Sequence, residues 1–316
     1  MSRQEKVIYA LGFFDGVHKG HQAILETARQ LARETGMRPG VFTYENHPQS
    51  VVGGSAPPLL TTPEERRALF AHYGMEEIVM IPFDAHFSAQ SPEEFLRMLI
   101  EDYRCGGLCC GDNFHFGAKA AGNASLLLEL CQKLGLFCRV ASPVLEKGKT
   151  VSSTLIRTLL REGDAQEAFR CLGRPFSLAG EIVHGDGRGH GCISAGKQIL
   201  GIPTINLTPP EGALWPRVGV YATLTQMEGG ETWPSLTNVG MRPTFRTQGS
   251  PTMETHLTGF QGDLYGRRVR VWFWAYLREE QKFENATLLV EQIARDTKKT
   301  QQLLQSLDRS DIYDLP

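Results

Sequence analysis

Two histidines three residues apart stand in a glycine-rich turn near the start of the chain, in the segment Gly12–Gln22 (GFFDGVHKGHQ). The run before it, Val7–Leu11, has the continuous apolar character of a buried strand, and the apolar residues after it recur at helical spacing. A helix that begins near Gly20 exposes unpaired N–H groups and a positive dipole end, both of which bind phosphate. We therefore predict that His18 and His21 donate hydrogen bonds to phosphoryl oxygens. A glycine-rich turn with two surface histidines is the alternative.

A second group of phosphate-binding candidates lies in the segment Val151–Arg157 (VSSTLIR). Hydroxyl groups at a helix start either cap the helix or donate to phosphate. Arg157, one helical turn later, offers a planar donor fork that suits a triphosphate. Alone, the segment is typical of an ordinary helix cap. Together with the two histidines it indicates a nucleotide site that includes Ser152, Ser153 and Thr154.

The elements that must position these residues alternate between strand and helix patterns through the first half of the chain. Thr62–Glu65 and Ser91–Glu94 are capping boxes with proline at the first helical position. This alternation predicts a parallel sheet covered by helices on both faces, with ligands beyond the carboxyl ends of the strands. The predicted strands are Val7–Leu11, Arg38–Tyr44, Glu77–Phe83, Leu108–Gly111 and Phe137–Ala141, and Ala124–Leu134 is a predicted helix.

The glycine-rich turn resembles the H-x-G-H signature of the nucleotidyltransferase superfamily, in the G-x-F-D-G-x-H-x-G-H-Q form typical of bacterial FAD synthetases. Three later segments are similar to that family as well. TYENHP, from Thr43, is similar to T-F-x-P-H-P, with Tyr44 and Asn46 as departures. GDNFHFG, from Gly111, matches G-x-[DN]-F-x-F-G, and SSTLIR matches S-S-T-x-I-R. The resemblance implies a Rossmann-like domain that moves an adenylyl group from ATP onto FMN.

The resemblance also implies roles for individual residues. His18, His21 and Arg157 would be catalytic. An FMN phosphate is already ionised near neutral pH, so positioning and charge stabilisation suffice for its attack on the α-phosphorus of ATP. For the loop after Gly111, an aromatic lining that merely packs on the core is the alternative. The nucleotide or flavin contacts would come from Gly12, Phe13, Asp15, Gly16, Asn113, Ser152, Ser153 and Thr154.

Past a short helix that ends at Gly173 and Pro175, the pattern changes to short strand-like runs separated by Gly/Pro turns. Such runs predict an antiparallel barrel, and Glu284–Leu307 reads as a helix that closes it. We place the domain boundary between residues 174 and 175. The predicted barrel strands are Ser177–His184, Thr204–Leu207, Gly219–Thr225, Pro234–Val239, Met253–Leu257 and Arg268–Leu277.

The segment GIPTINL, from Gly201, resembles the riboflavin kinase motif P-T-A-N, with Ile205 in place of alanine. Thr204 and Asn206 face the same side of a strand and offer hard oxygen donors suited to Mg²⁺ and its nucleotide. NVGMRPTF, ETHL, GDLYG and LREEQKF resemble later riboflavin kinase segments, in order. The resemblance makes Glu254 the general base toward the neutral ribityl hydroxyl of riboflavin; a solvated strand glutamate is the alternative. It also implies ligand contacts from Gly196, Gly201, Asn238 and Arg242.

One segment departs from the riboflavin kinase pattern. The family crosses from a V-V-H-G stretch to G-R-x-L-G-[FI]-P-T over a short loop, whereas this chain carries Asp186–Ala195 between them. The glycine-rich composition predicts a mobile flap beside the expected ATP site. Such a flap would alter nucleotide affinity or weaken the kinase.

Composition excludes several other classes of protein. The chain has 316 residues, which favours two domains, and its formal net charge of -2 provides no basic field for nucleic acid. Seven cysteines without a C-x-x-C pair argue against zinc and disulfides. The first residues lack a signal-like pattern, and the sequence has no apolar run of membrane-spanning length. We expect a cytoplasmic protein without nucleic-acid or membrane partners.

Together these features predict a bifunctional riboflavin kinase/FAD synthetase, with ATP, riboflavin and FMN as substrates and Mg²⁺ as cofactor; an oligomer is compatible with the sequence. A single-activity FMN adenylyltransferase whose barrel only binds flavin is one alternative. A non-catalytic flavin-binding protein and a class I aminoacyl-tRNA synthetase are two more. The intact histidines, Arg157 and Glu254 argue against the former, and the lack of a basic RNA-binding appendage argues against the latter.

Overall fold

A computed structural model describes residues 5–183, 204–241, 251–260, 264 and 266–305. The chain forms two compact units, the first reaching Ser153 and the second beginning at Thr154. The predicted boundary at residues 174 and 175 lies about twenty residues further along and stays a prediction of where the functional domains separate.

The first unit is built on a five-stranded parallel sheet of order β3-β2-β1-β4-β7. The strand order reverses beside β1, so the carboxyl ends of β1 and β4 flank the point where ligands bind in open α/β sheets. Two short hairpins, β5–β6 and β8–β9, follow β4 and β7. The strands are β1 Val7–Leu11, β2 Arg38–Tyr44, β3 Glu77–Ile81, β4 Cys105–Gly111, β5 His115–Phe116, β6 Gly122–Asn123, β7 Phe137–Ala141, β8 Leu145–Glu146 and β9 Lys149–Thr150.

Helices cover both faces of this sheet, because alternate residues of β1 point to opposite sides. Ile8 and Ala10 pack against α1 and α3 on one face, and Tyr9 and Leu11 pack with residues of α5 and α6 on the other. The two predicted capping boxes are present, at Thr62 and Ser91. The helices of this unit are α1 Lys19–Thr35, α2 Gln49–Val52, α3 Pro63–His72, α4 Ala85–Ser88, α5 Pro92–Glu101 and α6 Ala124–Leu134, with a 3₁₀ turn at Ala118–Ala120; α7 Ser153–Glu162 starts at its end.

The second unit is a closed six-stranded antiparallel barrel of order β10-β11-β14-β13-β12-β15. A helix, α9, packs on its outer face through Leu289 and Ile293, which contact Leu236 of β13. An ion pair of 2.9 Å between the partly buried Arg278 and the buried Asp296 fastens α9 to β15. The elements are α8 Ala165–Leu172, β10 Phe176–Val183, β11 Thr204–Thr208, β12 Gly219–Met227, β13 Thr232–Met241, β14 Pro251–Leu257, β15 Arg268–Arg278 and α9 Ala286–Gln305.

Hydroxyl groups line part of the interior of the barrel. Thr223, Thr237 and Thr255 form a chain of hydrogen bonds of 2.9 Å across β12, β13 and β14, and all three are fully buried. Because Leu236 points outward to α9, Thr237 beside it points inward. The parallel sheet, the antiparallel barrel and the closing helix of the predicted fold class are confirmed. Three predicted contacts, Gly196, Gly201 and Arg242, and the inserted segment Asp186–Ala195 lie outside the described residues.

Candidate active sites

A cavity of about 580 Å³ opens at the carboxyl edge of the first sheet, a volume typical of small-molecule sites. Residues that follow β1 form one end, with Gly12, Phe13 and His21 in its wall. Asn113, in the loop after β4, lies in the same wall. The structure thus brings together four predicted contact residues at the reversal point of the sheet. Aromatic rings dominate the rest of the lining, from Phe14, Tyr44, Phe83, Phe87, Phe95, Phe114 and Phe116.

The two histidines stack on each other at the start of α1. Their ring centroids are 3.6 Å apart and the planes are 17° from parallel. His18 caps the helix, because its Nδ1 accepts a hydrogen bond of 3.3 Å from the His21 backbone N–H. A neutral His18 ring whose Nδ1 accepts carries its proton on Nε2, which makes Nε2 a donor. A Cβ on Gly20 would approach the His18 ring to 3.2 Å, so glycine leaves room for the stack.

The turn between β1 and α1 holds a strained backbone. Phe14 and Val17 have φ angles of 58° and 39°, and Gly16 has a φ of 81°. Left-handed backbone is costly for residues with a Cβ, above all for a β-branched one, and persists only where the surroundings enforce it. Such strain clusters at functional sites, which fits the position of this turn beneath the cavity.

Asp15 helps to hold the turn between β1 and α1 in this strained conformation. Its buried carboxylate accepts hydrogen bonds of 2.9 to 3.2 Å from the backbone N–H groups of Leu60 and Thr61 and from the Thr61 hydroxyl. The same hydroxyl accepts from the Gly16 N–H at 2.9 Å, and Ser153 Oγ donates to the Asp15 carbonyl at 2.9 Å. These contacts favour a role for Asp15 in holding the turn, and its predicted ligand contact stays a prediction.

Arg66 of α3 completes the support. Its fully buried guanidinium donates to the carbonyl oxygens of Phe13, Tyr44 and Glu45 at 2.7 to 2.9 Å and lies 4.4 Å from the centre of the Phe13 ring. Burial lowers the pKa of Arg66 to about 10, so it stays charged at neutral pH. Arg66 thereby ties the loop after β1 to the loop after β2.

The remaining predicted residues of this site lie in the sequence on either side of the point where the first unit ends and the second begins. Ser152 and Ser153 belong to the first unit, whereas Thr154 and Arg157 belong to the second. Ser153 begins α7, as the capping pattern predicts, and Arg157 is buried one turn later on the same helix. That Thr154 and Arg157 act at the histidine site stays a prediction.

In the barrel, three predicted residues form one row on the outer face. Glu254 of β14 pairs with Asn206 of β11 on one side and with Asn238 of β13 on the other. Thr204, two residues before Asn206, shares its face. All four side chains are buried. Antiparallel pairing thus places a carboxylate between two amides, beside a hydroxyl, from three different strands.

The Asn238 amide is held in one orientation. Its Nδ2 donates to Glu280 Oε1 at 2.8 Å, so its Oδ1 points the other way. That Oδ1 is buried and has no hydrogen-bond partner among the described residues. A buried acceptor without a donor is costly unless a ligand supplies one. The row therefore presents an acceptor beside the Glu254 carboxylate.

The donor set of this row suits a hard cation only in part. Within the described ranges, no three His, Cys, Asp or Glu side chains gather into a group that could hold a metal ion. Thr204 and Asn206 offer two oxygens, and Mg²⁺ is commonly bound by few protein ligands together with substrate phosphates. Thr204 and Asn206 thus fit an Mg²⁺ that arrives with a nucleotide.

Two family models match the chain in tandem: FAD synthetase over residues 1–155 and Riboflavin kinase over residues 172–304. A bifunctional riboflavin kinase/FMN adenylyltransferase of Bacillus subtilis is 32% identical over 298 residues, covering 93% of this chain and 91% of the relative. The Pseudomonas fluorescens relative of the same description is 34% identical, covering 92% and 90%. The chain belongs to the bifunctional riboflavin kinase/FMN adenylyltransferase family.

A further relative and a solved structure also match this chain over most of its length. The Escherichia coli K12 member is 33% identical over 93% of this chain and 91% of its own. A crystal structure described as a macrolide-efflux protein from Streptococcus pneumoniae matches with a TM-score of 0.85 and 27% identity over 95% of both chains. No helix in the described part of this chain is long and apolar enough to span a membrane. The family membership that the sequence resemblance implied is confirmed.

Sequence reasoning missed two functional features of the first site, Arg66 and the Asp15–Thr61 contact. A signal for Arg66 existed, because it lies three and four residues before the buried Leu69 and Phe70 and so on the apolar face of α3. A charge on an apolar face indicates a buried partner. The Asp15–Thr61 contact joins residues far apart in sequence and left no local pattern.

Proposed function

We propose that this chain makes FAD from riboflavin in two ATP-dependent steps. The barrel would phosphorylate riboflavin to FMN, and the first unit would transfer an adenylyl group from a second ATP to FMN, releasing pyrophosphate. One observation carries the proposal. The chain holds two polar constellations of different chemistry, a stacked histidine pair at a helix start and a buried carboxylate between two amides.

At the first site, an FMN phosphate oxygen would attack the α-phosphorus of ATP. The new P–O bond forms as the bond from the α-phosphorus to the bridging oxygen breaks, and pyrophosphate leaves with that electron pair. His18 Nε2 and the imidazole of His21 would donate to the phosphoryl oxygens, where charge increases in the transition state. The N–H groups at the start of α1 and its dipole would add to that stabilisation.

The aromatic side of the cavity suits a flat, largely apolar ring. Tyr44, Phe83 and Phe87 stand there, and burial raises the pKa of the Tyr44 phenol, which therefore stays neutral. We assign the flavin ring of FMN to this side, with its phosphate toward His21. Asn113 would contact the ligand from the loop after β4.

At the second site, the ribityl 5′-hydroxyl of riboflavin would attack the γ-phosphorus of ATP. Glu254 would accept the hydroxyl proton as the new P–O bond forms. The bond from the γ-phosphorus to the bridging oxygen would break, and ADP would leave with that electron pair. Asn238 Oδ1 would accept a hydrogen bond from a flavin hydroxyl and so hold the flavin chain beside Glu254. Mg²⁺, held by Thr204 and Asn206, would neutralise phosphate charge when bound.

Product analysis tests the proposal. The protein is incubated with ATP and Mg²⁺ and either riboflavin or FMN, and flavins are separated by chromatography. We expect FMN and then FAD from riboflavin, and FAD from FMN. FAD from FMN without any FMN from riboflavin would favour the single-activity alternative. No FAD from FMN would refute the assignment of the first site. A cytoplasmic location stays a prediction.

A further inference from the structure

Asn46 stands where the family pattern T-F-x-P-H-P has proline, and its side chain makes contacts that proline could not. Its Nδ2 donates to the Phe83 carbonyl oxygen at 2.9 Å, and its Oδ1 accepts from the Phe83 N–H at 2.8 Å. One side-chain amide thus satisfies both backbone groups of one residue. The strand pairing just before it ends with the Glu45 N–H donating to the Ile81 carbonyl at 2.9 Å. Asn46 therefore extends the β2–β3 ladder by one further link.

Phe83, the residue that Asn46 holds, belongs to a cluster of three aromatic rings. The Phe83 ring packs edge-on against Tyr44 and Phe87, with centroid distances of 4.9 and 5.5 Å, and Tyr44 and Phe87 are 5.3 Å apart. All three rings line the 580 Å³ cavity. Phe87 is held separately, since its N–H donates to Asp84 at 2.7 Å. The position of Phe83 outside the sheet depends on the Asn46 amide.

We propose that Asn46 is a positioning residue for flavin binding: it holds Phe83 so that the three rings form one wall against the flavin ring. The inference rests on the proposed function of the first site. Asn46 itself is absent from the cavity lining, so it acts through Phe83. Loss of the wall weakens FMN binding but leaves the histidines and the reacting phosphates in place. The KM for FMN should change, and kcat should not.

The test measures FAD formation from FMN in the full-length protein. Asn46→Ala removes both hydrogen bonds, and Asn46→Asp keeps the acceptor but sets a carboxylate oxygen against the Phe83 carbonyl. At the strength of ordinary hydrogen bonds we expect the KM for FMN to rise roughly tenfold in each variant, with kcat within about twofold. Ser50→Ala is the control: it removes the longer 3.3 Å contact of the same amide and the 2.7 Å hydrogen bond from the Ser50 hydroxyl to the His47 carbonyl, but leaves both Asn46–Phe83 hydrogen bonds in place. Its KM should stay within about twofold.

A double-mutant cycle shows whether the effect passes through the ring. In a Phe83→Ala background, Asn46→Ala should raise the KM for FMN by less than about twofold, because the ring it positions is gone. Full additivity would overturn the inference, as would a lower kcat at unchanged KM. FMN formation from riboflavin reports on folding of the barrel and should be normal in every variant. Folding of the first unit is reported by the kcat for FAD formation at saturating FMN, which should stay within about twofold of the wild type. A wild-type protein that forms no FAD from FMN would refute the proposed function and this inference together. Normal wild-type turnover with an unchanged KM in both Asn46 variants would refute the inference alone.

Discussion

Replacing Arg66 by methionine should loosen the first unit and slow adenylyl transfer together. The guanidinium is fully buried and joins three backbone carbonyls at 2.7 to 2.9 Å, those of Phe13, Tyr44 and Glu45. Methionine fills similar volume but donates to none of them. Of the three, the Phe13 carbonyl would keep a donor, because the Thr43 hydroxyl also reaches it at 3.1 Å.

Two opposing effects set the magnitude. Hydrogen bonds to a charged group stabilise by about 1.5–3 kcal/mol each, so three contribute roughly 4.5–9 kcal/mol. Burial of the charge opposes this: it lowers the pKa of Arg66 to about 10, which corresponds to a cost of about 3 kcal/mol. We expect Arg66→Met to lower the stability of the first unit by about 3 kcal/mol. Arg66→Lys should do no better, because an ammonium keeps the burial cost but cannot reproduce the planar fork.

The assay follows both activities as urea is increased. For Arg66→Met, the midpoint for loss of adenylyl transfer should fall well below that of the wild type, while the midpoint for kinase activity stays. Arg67→Met is the matched control: Arg67 is the next residue of α3, is exposed, and should change stability by no more than about 0.5 kcal/mol. Equal midpoints for the two variants, or a parallel fall in both activities, would refute this account of Arg66.

Three further outcomes are expected. His21→Ala should lower FAD formation from FMN on the order of a hundred- to a thousand-fold, with FMN accumulating from riboflavin in chromatography; undiminished FAD would contradict the first site. Asp296→Asn leaves the partly buried Arg278 without its carboxylate and should destabilise the barrel by about 3 kcal/mol in urea unfolding, against about 0.5 kcal/mol for the exposed control Glu291→Gln. Stability should fall as pH rises above 9, because unfolded thiols release protons there while burial raises the pKa of three folded ones to about 12; constant stability from pH 7 to 11 would contradict this. Those thiols are Cys105, Cys109 and Cys110.

Local sequence patterns predicted helices well where a helix was long or carried a capping box. The capping boxes at Thr62 and Ser91 located two helix starts to the residue, and Ala124–Leu134 was predicted with its observed bounds. The elements that were missed, such as α2, α4 and the two-residue strands β5 and β6, are too short to show a period. The sequence predicted a parallel sheet and an antiparallel barrel but not the order of their strands, because pairings in a sheet join residues distant in sequence.

The candidate sites divide in the same way. The spacing of His18 and His21 predicted that they share a space, and the stacked rings confirm it. The row of Asn206, Glu254 and Asn238 could not be read from spacing, because β14 lies between β11 and β13 in the barrel but after both in sequence. The residue types identified Asn206, Glu254 and Asn238 as candidates, but only the strand register shows that they are neighbours.

The most direct test of the account is FAD formation by Glu254→Gln, measured from riboflavin and from FMN with the same preparation. The amide keeps the shape of Glu254 but cannot accept the hydroxyl proton, so FMN formation should fall about a hundred- to ten-thousand-fold. FAD formation from supplied FMN should persist at the wild-type rate, because that nucleophile is already an anion and the histidine pair proposed to act on it lies in the first unit. If both routes fell together, or if neither fell, the assignment of two chemically distinct sites would be wrong.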